Sequence, residues 1–288
     1  MTWTEKQNGA GAWAPRRFIR PERCGQRRIC MILVIDVSNT NSTLGVFDGE
    51  QLVASWRLST LNNRTSDETG MLLRMLFVHS EVNITEIAAV VVSSVVPNVM
   101  YSLLSGIRKY LKREPMVVRA GMKTGINLRM ENPKEMGTDR IVNLVAAYEL
   151  YGGPAIVIDY STATTFDVVS ERGEFLTGIT APGVQVCADA LTQRAAQLPK
   201  IEIKRPDSLI TKNTVDSIQA GLVLGHIGET RYIIDKIKEE LHLPQMKVIA
   251  TGGLAKVIDE KEEIFDVYDP VLALQGLRLL YEKNKNRK

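Results

Sequence analysis

One pattern occurs twice in this chain and limits how it can fold. Residues 33–50 read LVIDVSNTNSTLGVFDGE, and residues 156–174 read IVIDYSTATTFDVVSERGE. Each is an apolar, β-branched run ending in an aspartate, then a turn rich in hydroxyls or amides, then a second strand-like run closing on Gly-Glu. Alternation and β-branching predict strand–turn–strand units. Two of them, with Asp36 and Asp159 at matching places, predict a duplicated α/β domain with a carboxylate and a hydroxyl-rich loop in each copy. Two such loops facing one another would grip a nucleotide between two lobes.

The rest of the chain reads as strands alternating with helices. Strands are predicted at 31–36, 43–48, 51–58, 87–95 and 116–118, and helices at 66–80 and 99–112. The second half predicts strands at 155–159, 164–169, 174–178 and 246–250, and helices at 184–197, 213–241 and 270–283. Between the halves, Asn132-Pro133-Lys134-Glu135 has the chemistry of a helix start, and Gly152-Gly153-Pro154 that of a stop. Gly137 inside that span costs about 1 kcal/mol against alanine, so a regular helix is expected from Thr138, with Asp139 and Arg140 in its first turn. Strand–helix alternation in two related halves is α/β architecture. The expected division is an extension at 1–30, an N-terminal lobe at 31–150 and a C-terminal lobe at 151–288.

Charge is unevenly distributed. The chain has a net charge of +3, but residues 1–30 hold seven Lys/Arg against Glu5 and Glu22, and the other 258 residues carry 29 basic and 31 acidic groups. The body therefore lacks the basic stripe of a nucleic-acid binder or a nuclease. The first 30 residues are open to three readings: a basic tail, a targeting peptide, or translated upstream sequence ahead of Met31. No apolar run approaches the ~18 residues of a membrane span. Three cysteines without zinc-type spacing fit a reducing cytoplasm, and the three histidines form no cluster in sequence.

The candidate chemistry lies in four short stretches. Asp36 is followed by Val37-Ser38-Asn39-Thr40-Asn41-Ser42-Thr43, a turn whose N–H groups and hydroxyls can face phosphate oxygens while the carboxylate holds a cation. Asp159, with Ser161-Thr162-Ala163-Thr164-Thr165, repeats it. Thr251-Gly252-Gly253-Leu254-Ala255 follows a strand, and its glycines either allow close approach of a flat ligand or phosphate to the backbone or simply make a strand-to-helix turn. In Gly137-Thr138-Asp139-Arg140, the aspartate can serve as a general base or simply complement a helix dipole. The arginine there can fork onto a carboxylate.

In this order (DxxNTxxxxG, GxDR, DxxTATT, NT, TGGLA), the motifs resemble those of type III pantothenate kinases, of the actin/hexokinase-like ATPase superfamily, from Met31 to about Lys283. The resemblance implies two RNase H-like lobes, a homodimer, and transfer of the ATP γ-phosphate to pantothenate, the first step of coenzyme A synthesis. It implies that Asp36, Val37, Ser38, Asn39, Thr40, Asn41, Ser42, Thr43 and Thr162 bind ATP, with Mg2+ accompanying the nucleotide. Gly137, Thr138, Asp139, Arg140 and Thr214 would bind pantothenate, Asp139 as proton acceptor. A monovalent cation, K+ or NH4+, would sit at Asp159. No nucleic-acid or membrane partner is implied.

The chain departs from the family pattern at Ser38 and Ser161, where glycine is usual, at Met130, where an aromatic is usual, and at Thr177, which replaces a glycine. If those glycines served a positive φ, serine would cost about 1–2 kcal/mol each. That departure motivates an alternative, a catalytically impaired paralogue that binds nucleotide.

Overall fold

The computed structural model describes residues 31–132, 135–259 and 263–286. The basic extension 1–30 and the predicted helix-start residues Pro133 and Lys134 lie outside them.

The chain opens as a meander of β1 (Met31–Val37), β2 (Asn41–Asp48) and β3 (Gln51–Ser59). There follow α1 (Ser66–Val78), β4 (Ile87–Ser94), α2 (Pro97–Gly106) and β5 (Pro115–Val117). After α3 (Thr138–Tyr151) comes a second meander of β6 (Ala155–Tyr160), β7 (Ala163–Val169) and β8 (Phe175–Pro182). The chain continues through α4 (Val184–Arg194), α5 (Thr214–Gln219), α6 (Gly225–Glu240), β9 (Lys247–Gly252), α7 (Ala255–Ile258), β10 (Val267–Tyr268) and α8 (Leu272–Asn284).

The first sheet has the order β3-β2-β1-β4-β5 and the second β10-β9-β6-β7-β8, which is the same path read from the other edge. Pairing repeats as well. β1 lies antiparallel to β2 and parallel to β4, as β6 does to β7 and β9. Asp36 stands opposite Thr43 and Ser93, and Asp159 opposite Thr165 and Thr251. The expected duplication of one RNase H-like lobe is therefore visible strand by strand.

Strand periodicity then decides what faces what, because successive side chains point to opposite sides of a sheet. Leu33, Ile35 and Val37 of β1 pack outward against α1 and α2, whose capping box at Thr65 and Glu68 starts α1 cleanly. Ile32, Val34 and Asp36 face the other way. In the second sheet Ile156, Ile158 and Tyr160 pack toward α4 and α6, leaving Ala155, Val157 and Asp159 on the opposite face. Those opposite faces share one core, filled by α3 and α8. Leu144, Val145 and Ala146 of α3 and Leu277 and Leu280 of α8 are wholly buried there against Val34, Val91 and Ile249. The helix that begins at Thr138 thus starts between the C-terminal ends of β1 and β6.

Several local expectations are revised. β8, expected over 174–178, runs on through Ala181 and Pro182. An edge strand tolerates proline because one side of it needs no ladder donor. The helix expected over 213–241 is helical from Thr214 to Glu240, with a π-type stretch at Ala220–Leu224. α2 ends in a similar stretch, Ile107–Leu111, before Lys112 takes a left-handed conformation at φ 56°. The short α7 and β10 were not predicted, since four and two residues are too few to carry periodicity.

Candidate active site between the two sheets

Three strands and one helix deliver the polar groups. Asp36 ends β1, Asp159 nears the end of β6, and Asp167 lies two residues after Thr165 on the same face of β7. Against them comes the N-terminus of α3, carrying Thr138, Asp139, Arg140 and, one turn on, Asn143. Asp36, Asp167 and Asn143 are all buried.

Burial dominates the electrostatics. Desolvation, reinforced by the negative charge of Asp139, pushes Asp36 up to about 6, although the neighbouring Ser93 and Ser38 hydroxyls work against the shift. Asp159 is pushed up to about 7 by burial and then by the charges of Asp139, Asp36 and Asp167. Asp139 is the charge common to both, so the start of α3 lies within reach of both strand ends. Asp167 is also raised by burial, partly offset by Arg140, the cation set among these four carboxylates.

Arg140 is already engaged. Its Nε donates to both oxygens of Asp167 at 3.0 and 3.1 Å, and its Nη2 pairs with Asp167 Oδ1. One edge of the guanidinium is therefore anchored, leaving Nη1 as the group to meet an acceptor. The acceptor loop is pinned in the same manner. Thr138 Oγ1 accepts from Ser93 Oγ at 3.0 Å and donates to the Ser94 carbonyl at 3.3 Å. Asp139 Oδ1 accepts from the Arg140 N–H at 2.8 Å. A side chain at Gly137 would run into the Asp139 carboxylate, so a residue without Cβ there lets that carboxylate keep its place.

The two hydroxyl-rich hairpins meet. Thr40 Oγ1 and Thr162 Oγ1 are 3.4 Å apart across 122 positions of sequence. Thr40, Asn39 and Thr162 are exposed at this junction, where a ligand could reach them. Thr60, at the end of β3, braces the first hairpin: its hydroxyl donates to the Ser38 carbonyl and contacts Ser42 Oγ at 2.8 Å, and its N–H donates to the Thr40 carbonyl. Val37 is buried in the outer core, and Ser42 lines a small apolar cavity with Leu44 and Leu58. Thr43 and Asn41, half-buried, complete the hairpin.

The serine departures cause no strain. Among the described residues only Lys112 and His242 are non-glycine residues with positive φ. Ser38 N–H donates to the Asn41 carbonyl and Ser161 N–H to the Ala163 carbonyl, two equivalent ordinary turns, and Ser38 Oγ donates to Asp36 Oδ2 at 3.3 Å. The backbone-strain argument for an impaired paralogue is thereby removed. Met130 packs against the central core, and Thr177 lies in the edge strand opposite Val168.

Some expectations are not drawn into the cluster. Thr214 opens α5, exposed, and among the described residues no hydrogen bond joins it to Asp139 or Arg140. Gly252 has φ +95°, and a Cβ there would strike the Tyr160 backbone, so its freedom serves packing of β9 on β6 and not a ligand. Gly253 faces the Arg57 guanidinium from the first lobe. His226 is a packing residue, its ring Nδ1 2.6 Å from the Leu222 carbonyl.

Asp167, Ser93, Asn143 and Thr60 were not singled out from sequence. The signal for two of them was present: a charged residue inside the apolar strand FDVV, and an amide inside the apolar helix IVNLVAA, four residues after Asp139.

Two features fit the cations that the resemblance implies. Asp36 Oδ1 and Asn143 Oδ1 are buried acceptors with no hydrogen-bond partner, and both lie among carboxylates that a positive charge would relieve. Among the described residues no three Asp, Glu, His or Cys side chains gather into a cage for a metal ion. Any cation here would therefore rely partly on neutral oxygens, water or phosphate.

Comparison with known proteins agrees with this geometry. The family model described as type III pantothenate kinase matches residues 32–236. A type III pantothenate kinase from Agathobacter rectalis is 54% identical over 258 residues, covering 90% of this chain and 99% of that protein. Among solved structures, a Baf family transcriptional activator from Campylobacter jejuni superposes with a TM-score of 0.54 at 16% identity, covering 88% of this chain and 99% of its own. The ethanolamine utilization protein EutJ from Carboxydothermus hydrogenoformans gives 0.51 at 14% identity, covering 92% and 93%. At such identities these two structures speak to the fold alone.

Proposed function

The chain belongs to the type III pantothenate kinase family, whose reaction is the ATP-dependent phosphorylation of pantothenate in coenzyme A biosynthesis, and on that premise we propose how its site residues divide the work. The observation that carries the reading is the placement of Asp139: it heads the helix that enters between the two hairpins, and its charge acts on both Asp36 and Asp159.

In this reading the hairpin Asp36–Thr43 and Thr162 hold the ATP phosphates through N–H groups and hydroxyls. Gly137, Thr138, Arg140 and Thr214 bind pantothenate, with the free edge of Arg140 turned to its carboxylate. The pantothenate hydroxyl attacks the γ-phosphorus in line. An O–P bond forms, the bond from the γ-phosphorus to the bridging oxygen breaks, and ADP leaves. Asp139 takes the hydroxyl proton as general base. Asp36, with its unpartnered Oδ1, would hold the Mg2+ of Mg–ATP or its waters, and the ion would supply neutralisation of phosphate charge. Asp159 would hold the monovalent cation, K+ or NH4+. Exposed Leu176 and Ile179 on β8 and Val186 and Leu191 on α4 support a homodimer. Among the described residues no helix is long and apolar enough to cross a membrane, and a cytoplasmic enzyme is the reading that suits its substrates.

The test is ADP release by the full chain, with and without pantothenate, in potassium and then in sodium buffer. Pantothenate-dependent, potassium-stimulated turnover is expected. ATP hydrolysis indifferent to pantothenate would contradict the assignment of the acceptor site, and equal rates in the two salts would contradict the cation at Asp159.

A further inference from the structure

Asn143 is the least explained group in the site. It is 4% exposed, inside an otherwise apolar stretch of α3. Its Nδ2 donates to Asp159 Oδ2 at 3.3 Å, which fixes the orientation of the amide and leaves Oδ1 buried without a partner. A buried amide oxygen left unsatisfied costs on the order of 1–3 kcal/mol. Its neighbours across the interlobe space are carboxylates, Asp159 and, beyond it, Asp36, whose Oδ1 is also unpartnered. No described protein group donates to Asn143 Oδ1, and a carboxylate that has lost its proton can only accept. A hard cation would satisfy it, since such ions take carbonyl and carboxylate oxygens together. A neutral carbonyl also adds a ligand without adding charge, which suits a monovalent ion better than a third carboxylate would.

We propose that Asn143 supplies a neutral oxygen to the monovalent cation held at Asp159 and so ties that cation to α3, the helix that carries Asp139 one turn earlier. Asn143 is then a positioning residue for the reaction and a determinant of cation preference. This rests on the reading that the cation sits at Asp159.

The experiment is thermal melting of the full chain, without nucleotide and with Mg–ADP, titrated with KCl against NaCl and choline chloride at constant ionic strength. The wild type should gain stability with potassium over choline, and Asp159→Asn should lose that gain. Asn143→Ala should shift the potassium midpoint upward by tenfold or more and narrow the preference over sodium. Asn143→Asp, which keeps the shape and adds charge, should hold the midpoint at or below the wild-type value while losing the potassium preference. It reads the same question if the alanine variant does not fold. An unchanged midpoint and preference in the Asn143 variants, with Asp159→Asn still insensitive, would overturn the role of Asn143 alone. A wild type that melts identically in all three salts, or an Asp159→Asn variant that keeps its potassium response, would overturn the underlying cation site and this inference with it.

Discussion

At the scale of single residues, the site is a set of acids held in an unfavourable ionisation state until something positive arrives. Asp36 shows this with a definite sign. Its folded value, about 6, lies above the ordinary 3.8, so the folded protein binds its proton more tightly than the unfolded chain does. The stabilisation this gives is complete below about pH 4 and is lost as pH rises through 6. Asp36→Asn removes that dependence. In a ligand-free melt without magnesium, the variant should be more stable than wild type at pH 8, by about 3 kcal/mol at most, and the gap should close as pH falls below about 4. A gap that does not change with pH would mean that Asp36 is not desolvated as described. Asp167 makes the second residue-scale prediction. Asp167→Ala frees the Nε–Nη2 edge of Arg140, so the guanidinium is no longer aimed. The KM for pantothenate should rise tenfold or more while the KM for ATP changes little. Equal changes in both would place Arg140 elsewhere in the reaction.

At the scale of elements, α3 links the fold to the chemistry. Its first turn is pinned by Ser93 and Ser94 at the end of β4, and its body is clamped by α8. The closest point of that clamp is Gly276, where a Cβ would meet the Val142 carbonyl oxygen and lie 2.7 Å from Val142 Cγ1. Gly276→Ala should therefore cost about 1–3 kcal/mol of stability, measured by denaturant unfolding, and should lower turnover by tilting the Asp139 end of the helix. A neutral substitution would show that the two helices can separate freely. The elements also show where sequence reading reaches its limit. β1, β2, β6 and β7 were legible because short β-branched apolar runs bounded by turn residues announce buried strands, and Asp36 and Asp159 were legible as polar ends of apolar runs. The start of α3 at Thr138 was legible from Gly137. Asp167 was not, because its partner Arg140 is 27 positions away and only the insertion of α3 between the sheets brings them together. Ser93 and Asn143 were missed for the same reason. A polar residue inside an apolar run marks Asp167 and Asn143 as unusual, but the partners that give all three their importance lie across the interlobe core, and local pattern carries no record of those.

At the scale of the whole molecule, duplication explains why one site suffices for two substrates. Each lobe brings one carboxylate and one hydroxyl-rich hairpin to the same end of its sheet, and the hairpins meet at Thr40 and Thr162. The asymmetry needed for chemistry comes from α3, which enters between the lobes with Asp139 and Arg140 at its tip. The division of labour that follows is phosphate holding by the duplicated parts and acceptor activation by the inserted helix.

That division is tested most directly by Asp139→Asn in the full chain, comparing pantothenate-dependent kcat with the dissociation constant for Mg–ATP. The account predicts a fall in kcat of roughly 10²–10⁴-fold with nucleotide affinity within a few-fold of wild type. A variant that turned over at the wild-type rate would contradict the assignment of Asp139 as the group that takes the proton.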